Sequence, residues 1–357
     1  MTTITWAGET VTFTTGRPSG PGIIPYESLK SAGSVAATSN QVATGQQVSF
    51  LPGVFEFVDF PANGYASLWW VNVAGVRGSG QTVFQMRANT STAASRVPAQ
   101  PAPGLSGVTN PLWLARVGGA GPNSKGVAVT TAVQLSGFTL NGTPQGHMYN
   151  GLQLYYADGT TLTDVKVKGI PGNNSANPGE TFSIGTVQGR NITFTRVEVD
   201  GTDQTGKVVA ASGVGLNNSD QITMNDCNIH DSQFGAGVTS YQCGSAVFNR
   251  VRSVNHLAGF NMERCAGGTY VYNQCESSGN PFADLIVDSD KGDTQVTIID
   301  PIVNGKPVSA ANPFRVTVHS DYWGSPQLQK WSSIKLIAGG VDHTADFLKR
   351  QANNVGE

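Results

Sequence analysis

Two acidic residues, Glu263 and Asp288, stand at matching places in successive copies of one short pattern. Residues 236–243 read AGVTSYQC and residues 258–265 read AGFNMERC, 22 positions later. In extended chain, alternate side chains share a face. If Val214, Val238, Phe260 and Leu285 point inwards, the residues three further on point outwards: Asn217, Tyr241, Glu263 and Asp288, with Tyr155 continuing the column toward the N-terminus. Thr239, Asn261 and Ile286 form the neighbouring outward column. Stacked strands lie ~4.8 Å apart, so the two carboxylates are expected ~5 Å apart. That separation suits a retaining glycosidase pair better than the wider pair of an inverting enzyme. Tyr155 and Tyr241 could stack on the C–H faces of sugars, with Asn217 and Asn261 as further binding residues. A solvated face of such a stack shows the same residues, so three readings stay open: catalysis by Glu263 and Asp288, sugar binding without turnover, and plain surface.

A second group of titratable residues falls at the bend after the following strand: Asp200 and Asp203, then His230 and Asp231, then His256. Histidine brings proton chemistry near neutral pH, but Asp, Asn and His at turns commonly serve backbone geometry. The sequence has no C-x-x-C, H-E-x-x-H, phosphate-binding or G-x-S-x-G motif, so no metal and no cofactor are expected.

The elements that would hold these residues can be laid under one another. LSGFTLNG from Leu135, LTDVKVKG from Leu162, FTRVEVDG from Phe194, MNDCNIHD from Met224, FNRVRSVN from Phe248, YNQCESSG from Tyr272 and IIDPIVNG from Ile298 start 27, 32, 30, 24, 24 and 26 residues apart. Position four is small to medium and mostly apolar, and position eight is Gly, Asp or Asn throughout, residues that accept positive φ. A companion strand precedes most of them, including GVGLNN from Gly213, GVTSYQ from Gly237 and GFNMER from Gly259. Two strands per coil with a variable loop between coils spell a single-stranded parallel β-helix, in which each unit buries its apolar side only against its neighbours. The expected class is all-β.

Composition agrees. Only 13% of the 357 residues are charged and 44 are glycine, against usual shares of roughly 25% and about 7%. A net charge of −2 without a basic block gives no footprint for nucleic acid. No run approaches the ~18 apolar residues of a membrane span, and MTTITWAGETVTF has neither the cationic start nor the apolar stretch of a secretory signal. The four cysteines, between 227 and 275, are too few for a disulfide framework. Cys243 and Cys265, one coil apart, would bring their Cα atoms ~5 Å apart, inside disulfide range. Without an export signal, a ladder of buried thiols is the preferred reading over a disulfide.

Three segments follow. Residues 1–45 are an N-terminal arm with one alternating strand, ITWAGETVTFTT, and a helical candidate at 26–33; residues 46–305 form the β-helix, with 88–125 leaving it as an excursion that returns through LWLARV; residues 306–357 form a C-terminal cap with a short final helix started by Asp342 or His343.

The order LPGVFEF, loop, VNVAGVRGSGQTVF over residues 51–84 resembles the entry coils of the pectate-lyase-like right-handed parallel β-helix superfamily. The resemblance covers about residues 46–305 and implies fold, not chemistry. The superfamily's pectin hydrolases carry N-T-D, D-D, G-H-G and R-x-K on successive coils, which this chain does not match; its G-H-M at 146–148 lies outside that order. A low-charge β-helix with an added arm and cap is similar to phage tail proteins of the tailspike, tail-fibre or minor tail type. That resemblance implies a virion location, synthesis in the host cytoplasm, a homotrimer, attachment to other tail proteins through the arm, and a cell-surface polysaccharide as partner. The alternative is a polysaccharide hydrolase or lyase of the same fold.

Overall fold

The computed structural model describes residues 2–6, 9–13, 18–19, 47–49, 53–57, 66–70, 74–86, 113–117, 130–142, 150–170, 182–209, 212–232, 235–265, 267–288, 294–318 and 333–351. The chain winds as a right-handed parallel β-helix in which each strand pairs in parallel with its counterpart one coil later. The first ladder has ten strands, from Ala66–Trp70 and Trp113–Val117 through Asn150–Tyr155, Phe182–Val187, Ser212–Asn217, Ala236–Tyr241, Ala258–Glu263, Ala283–Val287 and Phe314–Val318 to Leu348–Gln351. At ~4.8 Å per step the shaft is roughly 43 Å long.

The expectation of two strands per coil is corrected to three. Each segment such as FTRVEVDG divides at its third residue into a second-ladder strand, Thr193–Thr195, and a third-ladder strand, Glu198–Asp200. The dividing residues, Asp164, Arg196, Asp226, Arg250, Gln274 and Asp300, all have φ between +44° and +54°. This left-handed bend is costly for residues other than glycine. Here each bend N–H still donates to the next coil, for example Arg196 N to Asn225 O at 2.9 Å and Arg250 N to Asn273 O at 2.8 Å. Side chains add support: Arg196 grips Asp164 through Nε (2.7 Å) and Nη2 (2.9 Å), and Arg250 grips Asp226 likewise at 2.6 and 2.9 Å.

Inside, the columns follow the expected register. Leu162, Phe194, Met224, Phe248, Tyr272 and Ile298 pair in sequence along the second ladder, and Ile184, Val214, Val238, Phe260 and Leu285 along the first. All are buried. Phe248 and Tyr272 stack at 4.9 Å between ring centroids, and Phe260 meets Tyr272 edge-on at 5.1 Å. The four cysteines are free and buried, as small apolar fillers. Close coil stacking also fixes glycine: a Cβ on Gly268 would overlap the carbonyl oxygen of Gly244 on the preceding coil.

Beside the apolar core of the C-terminal coils lies a buried polar cluster. Asp284, fully buried, accepts hydrogen bonds from Ser277 Oγ (2.6 Å) and from Arg315 N, Nε and Nη2 (2.8, 3.0 and 2.9 Å). Asn280 Nδ2 reaches Ser277 Oγ at 2.9 Å and Ser253 O at 3.0 Å.

Both ends differ from expectation. The single N-terminal strand is two strands, Thr2–Trp6 antiparallel to Glu9–Phe13. The helical candidate at 26–33 and most of the excursion lie outside the described residues, while LWLARV does return as strand Trp113–Val117. The ladders do not stop at 305: Val316 pairs with Leu285 and Leu336 with Ile298, so the segment set apart as a cap carries the last turns of the coil. Its helix is only Thr344–Phe347. Asp342 Oδ1 accepts from Thr344 N at 2.9 Å, and Leu348–Gln351 leaves the helix as the final first-ladder strand. No helix among the described residues is long and apolar enough to cross a membrane.

Candidate functional site

The outward face of the first ladder carries the residues singled out from sequence. Pairing runs Tyr155 to Val187, Val187 to Asn217, Asn217 to Tyr241 and Tyr241 to Glu263. Asp288 N donates to Met262 O at 2.8 Å, which extends the same strand register by one coil. The neighbouring column runs Gln153, Gly185, Gly215, Thr239, Asn261, Ile286. Asn217, Tyr241, Asn261 and Glu263 are half-buried side by side. Tyr155 is two coils from Asn217, with Val187 between. The ring of Phe182 lies over Gly215, where a Cβ would come within 2.7 Å of it, so Phe182 stands between the Tyr155 end and the Tyr241 end of the face.

The two ends have different characters. The Arg116 guanidinium sits 4.1 Å from the Tyr155 ring centroid, and Tyr156 meets Tyr155 edge-on at 4.7 Å. One face of Tyr155 is therefore used within the protein, which leaves Tyr241 as the more available platform. At the other end Asn261 Nδ2 donates to Glu263 Oε1 at 2.7 Å. Burial pushes the Glu263 carboxyl above its usual range and the nearby Asp288 pushes it the same way, while Asn261 and Arg264 oppose. Asp288, expected at the surface, is 2% exposed. A carboxyl held toward its protonated form beside a buried acidic neighbour has the make-up of a general acid next to a charge-stabilising or nucleophilic partner.

A second charged cluster lies on the outer side of the third ladder. Lys166 pairs with Glu198 and Lys168 with Asp200 in backbone register, and Asp200 with His230. Lys166 Nζ reaches Glu198 Oε1 at 2.8 Å and Asp200 Oδ2 at 3.4 Å; Lys168 Nζ reaches Asp200 Oδ2 at 2.8 Å. His230 bridges Asp231 (Nδ1, 2.7 Å) and Glu198 (Nε2, 3.3 Å). Of the residues grouped from sequence, the structure brings together Asp200, His230 and Asp231. Asp203 instead caps its own loop through Thr205 N and Lys207 N, and His256 is buried, its Nε2–H donating to Ile229 O at 3.0 Å. Burial lowers its pKa to about 4.

Glu198, Asp200 and His230 offer three ligand atoms within 4.8 Å of one another. The same carboxylates are already engaged by two ammonium groups, so with His230 protonated, Lys166, Lys168 and His230 balance Glu198, Asp200 and Asp231 without a cation. Glu198 was missed from sequence, although positions five and seven of the aligned segments read Lys/Lys, Glu/Asp and Asn/His on consecutive coils.

This network makes a pH prediction. Glu198 raises the His230 pKa first, against burial and with help from Asp231. His230 and Lys166, outweighing burial, lower Glu198 to about 2. The raised histidine stabilises fully below its unfolded value of ~6.5 and loses that contribution as pH rises through its folded value; the lowered carboxylate stabilises above ~4.5 and loses that as pH falls toward 2. The network is strongest between about pH 4.5 and 6.5. Glu198 is more than a third exposed, so after screening His230→Gln is expected to cost ~1 kcal/mol or less at pH 5.5, with the difference from wild type shrinking by pH 9. Thermal melts of both proteins across this range check it; a gap that widens with pH would contradict the assignment.

No protein-family model matches the sequence, and neither does any curated protein sequence. Solved structures do. The A-module of the Azotobacter vinelandii mannuronan C-5 epimerase AlgE6 aligns at TM-score 0.50 and 13% identity, over 92% of this chain and 87% of that one. PfbA, a surface adhesin of Streptococcus pneumoniae, aligns at TM-score 0.53 and 10% identity, over 94% and 80%. The Dettilon tailspike protein aligns at TM-score 0.41 and 10% identity, over 89% and 68%. At such identities the likeness concerns fold alone, and the epimerase and the adhesin share one architecture with different roles. With its three parallel ladders, inward apolar columns and left-handed bends, the chain has a right-handed parallel β-helix fold, the architecture of these solved structures.

Proposed function

We propose that this chain is a polysaccharide-binding tail protein of a virion, with the outward column Asn217–Tyr241–Glu263 and the adjoining Asn261 as its binding surface. The observation that carries the binding reading is the register: four polar or aromatic side chains from three consecutive coils lie side by side on one face, half-exposed. Tyr241 supplies an amphipathic ring and the two asparagines supply donors and acceptors, the combination that sugar C–H faces and hydroxyls require. The virion setting, the homotrimer and attachment through residues 1–45 rest on the sequence resemblance to tail proteins.

A panel of bacterial envelope polysaccharides immobilised on a sensor surface tests the binding. Wild type binds at least one member, and Tyr241→Ala weakens that binding about tenfold, the loss of one stacking platform worth ~1.4 kcal/mol. Equal binding by wild type and variant would contradict the surface. The second reading, cleavage of the bound glycan, is favoured by one observation, the raised Glu263 carboxyl beside Asp288. It predicts new reducing ends or unsaturated uronate that Glu263→Gln abolishes; binding with no products from wild type leaves Glu263 a binding residue.

A further inference from the structure

We propose that an open cleft at the C-terminal end of the shaft, beside the bend at Asp300, is a second carbohydrate subsite that takes a neutral pyranose sugar. It lies at the junction of the second and third ladders, away from the first-ladder column around Tyr241, and does not depend on that column.

The cleft exists because the last coils depart from the repeat. After Ile302–Val303, Asn304 (φ +50°) and Gly305 (φ +72°) reverse the chain, so that Lys306–Pro307 returns antiparallel to it. After Ile334–Ala338, Gly339 (φ +58°) and Gly340 (φ +81°) do the same, folding Val341–Asp342 back. Both hairpins contribute to the lining, through Pro307 and Gly339, and Asp300 Oδ1 fixes the second by accepting from Gly339 N at 2.7 Å. The space between them is about 550 Å³, within the range of small-ligand sites, ~300–1,000 Å³.

Its lining has two parts. Pro301, Ile302 and Pro307 give an apolar surface. Arg252, Gln274 and Asp300 give planar polar groups beside it. Arg252 uses Nε on Glu276 Oε2 at 2.8 Å, and among the described residues its two Nη groups and the Gln274 amide carry no hydrogen bond. Asp300 keeps its second carboxylate oxygen in the same way. Donors and an acceptor therefore flank an apolar patch. The formal charges of the lining cancel, Arg250 and Arg252 against Glu276 and Asp300. A site without net charge gives no Coulomb advantage to an anion or a cation. What fits is a neutral molecule with one C–H face and hydroxyls that both donate and accept, which describes a pyranose ring. Without an aromatic platform, affinity is expected near ~1 mM.

Saturation-transfer NMR on the full chain tests this with three probes: maltotriose and cellotriose as neutral sugars and trigalacturonate as an acidic one. A neutral trisaccharide should receive saturation at about 5 mM. That signal should survive Tyr241→Ala and fall about fivefold or more in Arg252→Met, which removes hydrogen bonds to a charged donor. Gln274→Asn, which shortens the amide and tolerates the left-handed bend, should reduce it as well and serves if Arg252→Met melts early. No transfer to either neutral sugar, stronger transfer to trigalacturonate, or a signal unchanged by both cleft variants would each overturn the proposal. Loss of the signal in Tyr241→Ala alone would place the sugar on the first-ladder face instead.

Discussion

Arg315→Met is expected to destabilise the protein by about 3–5 kcal/mol, among the largest effects of any single substitution. Asp284 has no exposure to water, and Arg315 supplies its backbone N–H and two guanidinium hydrogen bonds. Removing the guanidinium leaves a charged carboxylate in the interior with Ser277 and one backbone amide as its remaining partners. The same change withdraws Nη2 from the carbonyl of Asn280, 2.6 Å away, at the bend between coils. Urea unfolding at neutral pH measures the loss. The double variant Asp284→Asn, Arg315→Met should recover part of it, because the cost comes mainly from the stranded charge rather than from the pair's net worth. Since Arg315 belongs to Phe314–Val318 and Asp284 to Ala283–Val287, one cooperative transition in wild type would also show that the segment beyond 305 unfolds with the shaft.

Phe260→Ala is expected to cost a similar ~3–5 kcal/mol, by a different route. Phe260 is 1% exposed, pairs in register with Val238 and Leu285, and packs on Phe248 and Tyr272 from the second ladder. It joins two sheets at the level of the candidate site, so its loss leaves a cavity in rigid surroundings. The coil can collapse into that cavity only by breaking parallel hydrogen bonds. Its strand neighbours Asn261 and Glu263 point the opposite way, so glycan binding should weaken along with stability. Thr193→Ala, on the outer side of the second ladder, is the control and should stay within about 0.5 kcal/mol. Matching losses at both positions would mean the inward columns do not carry the fold.

The inward columns were legible in the sequence because a solenoid repeats its burial pattern from coil to coil. The repeat of Leu162, Phe194, Met224, Phe248, Tyr272 and Ile298 along the sequence matches the hydrogen-bonded register. The split into second and third ladders was hidden by residue type. Arg196 and Arg250 at positive φ read as ordinary outward strand residues, since the partners that hold them, Asp164 and Asp226, stand on the preceding coil. The outward column was legible as positions, while its surroundings were not: neither the burial of Asp288 nor the guanidinium over Tyr155 follows from alternation. At the C-terminus, strands after 305 looked unrelated because hairpins at Gly305 and Gly339–Gly340 separate them from the repeat.

The outward column as the glycan surface is tested most directly by hydroxyl-radical footprinting of the wild-type chain, free and saturated with the envelope polysaccharide that binds it. Tyr241 should lose most of its oxidation on binding, whereas Val341, exposed at the far hairpin, should react equally in both samples. Unchanged oxidation of Tyr241 with protection elsewhere on the shaft would place the binding surface on another face.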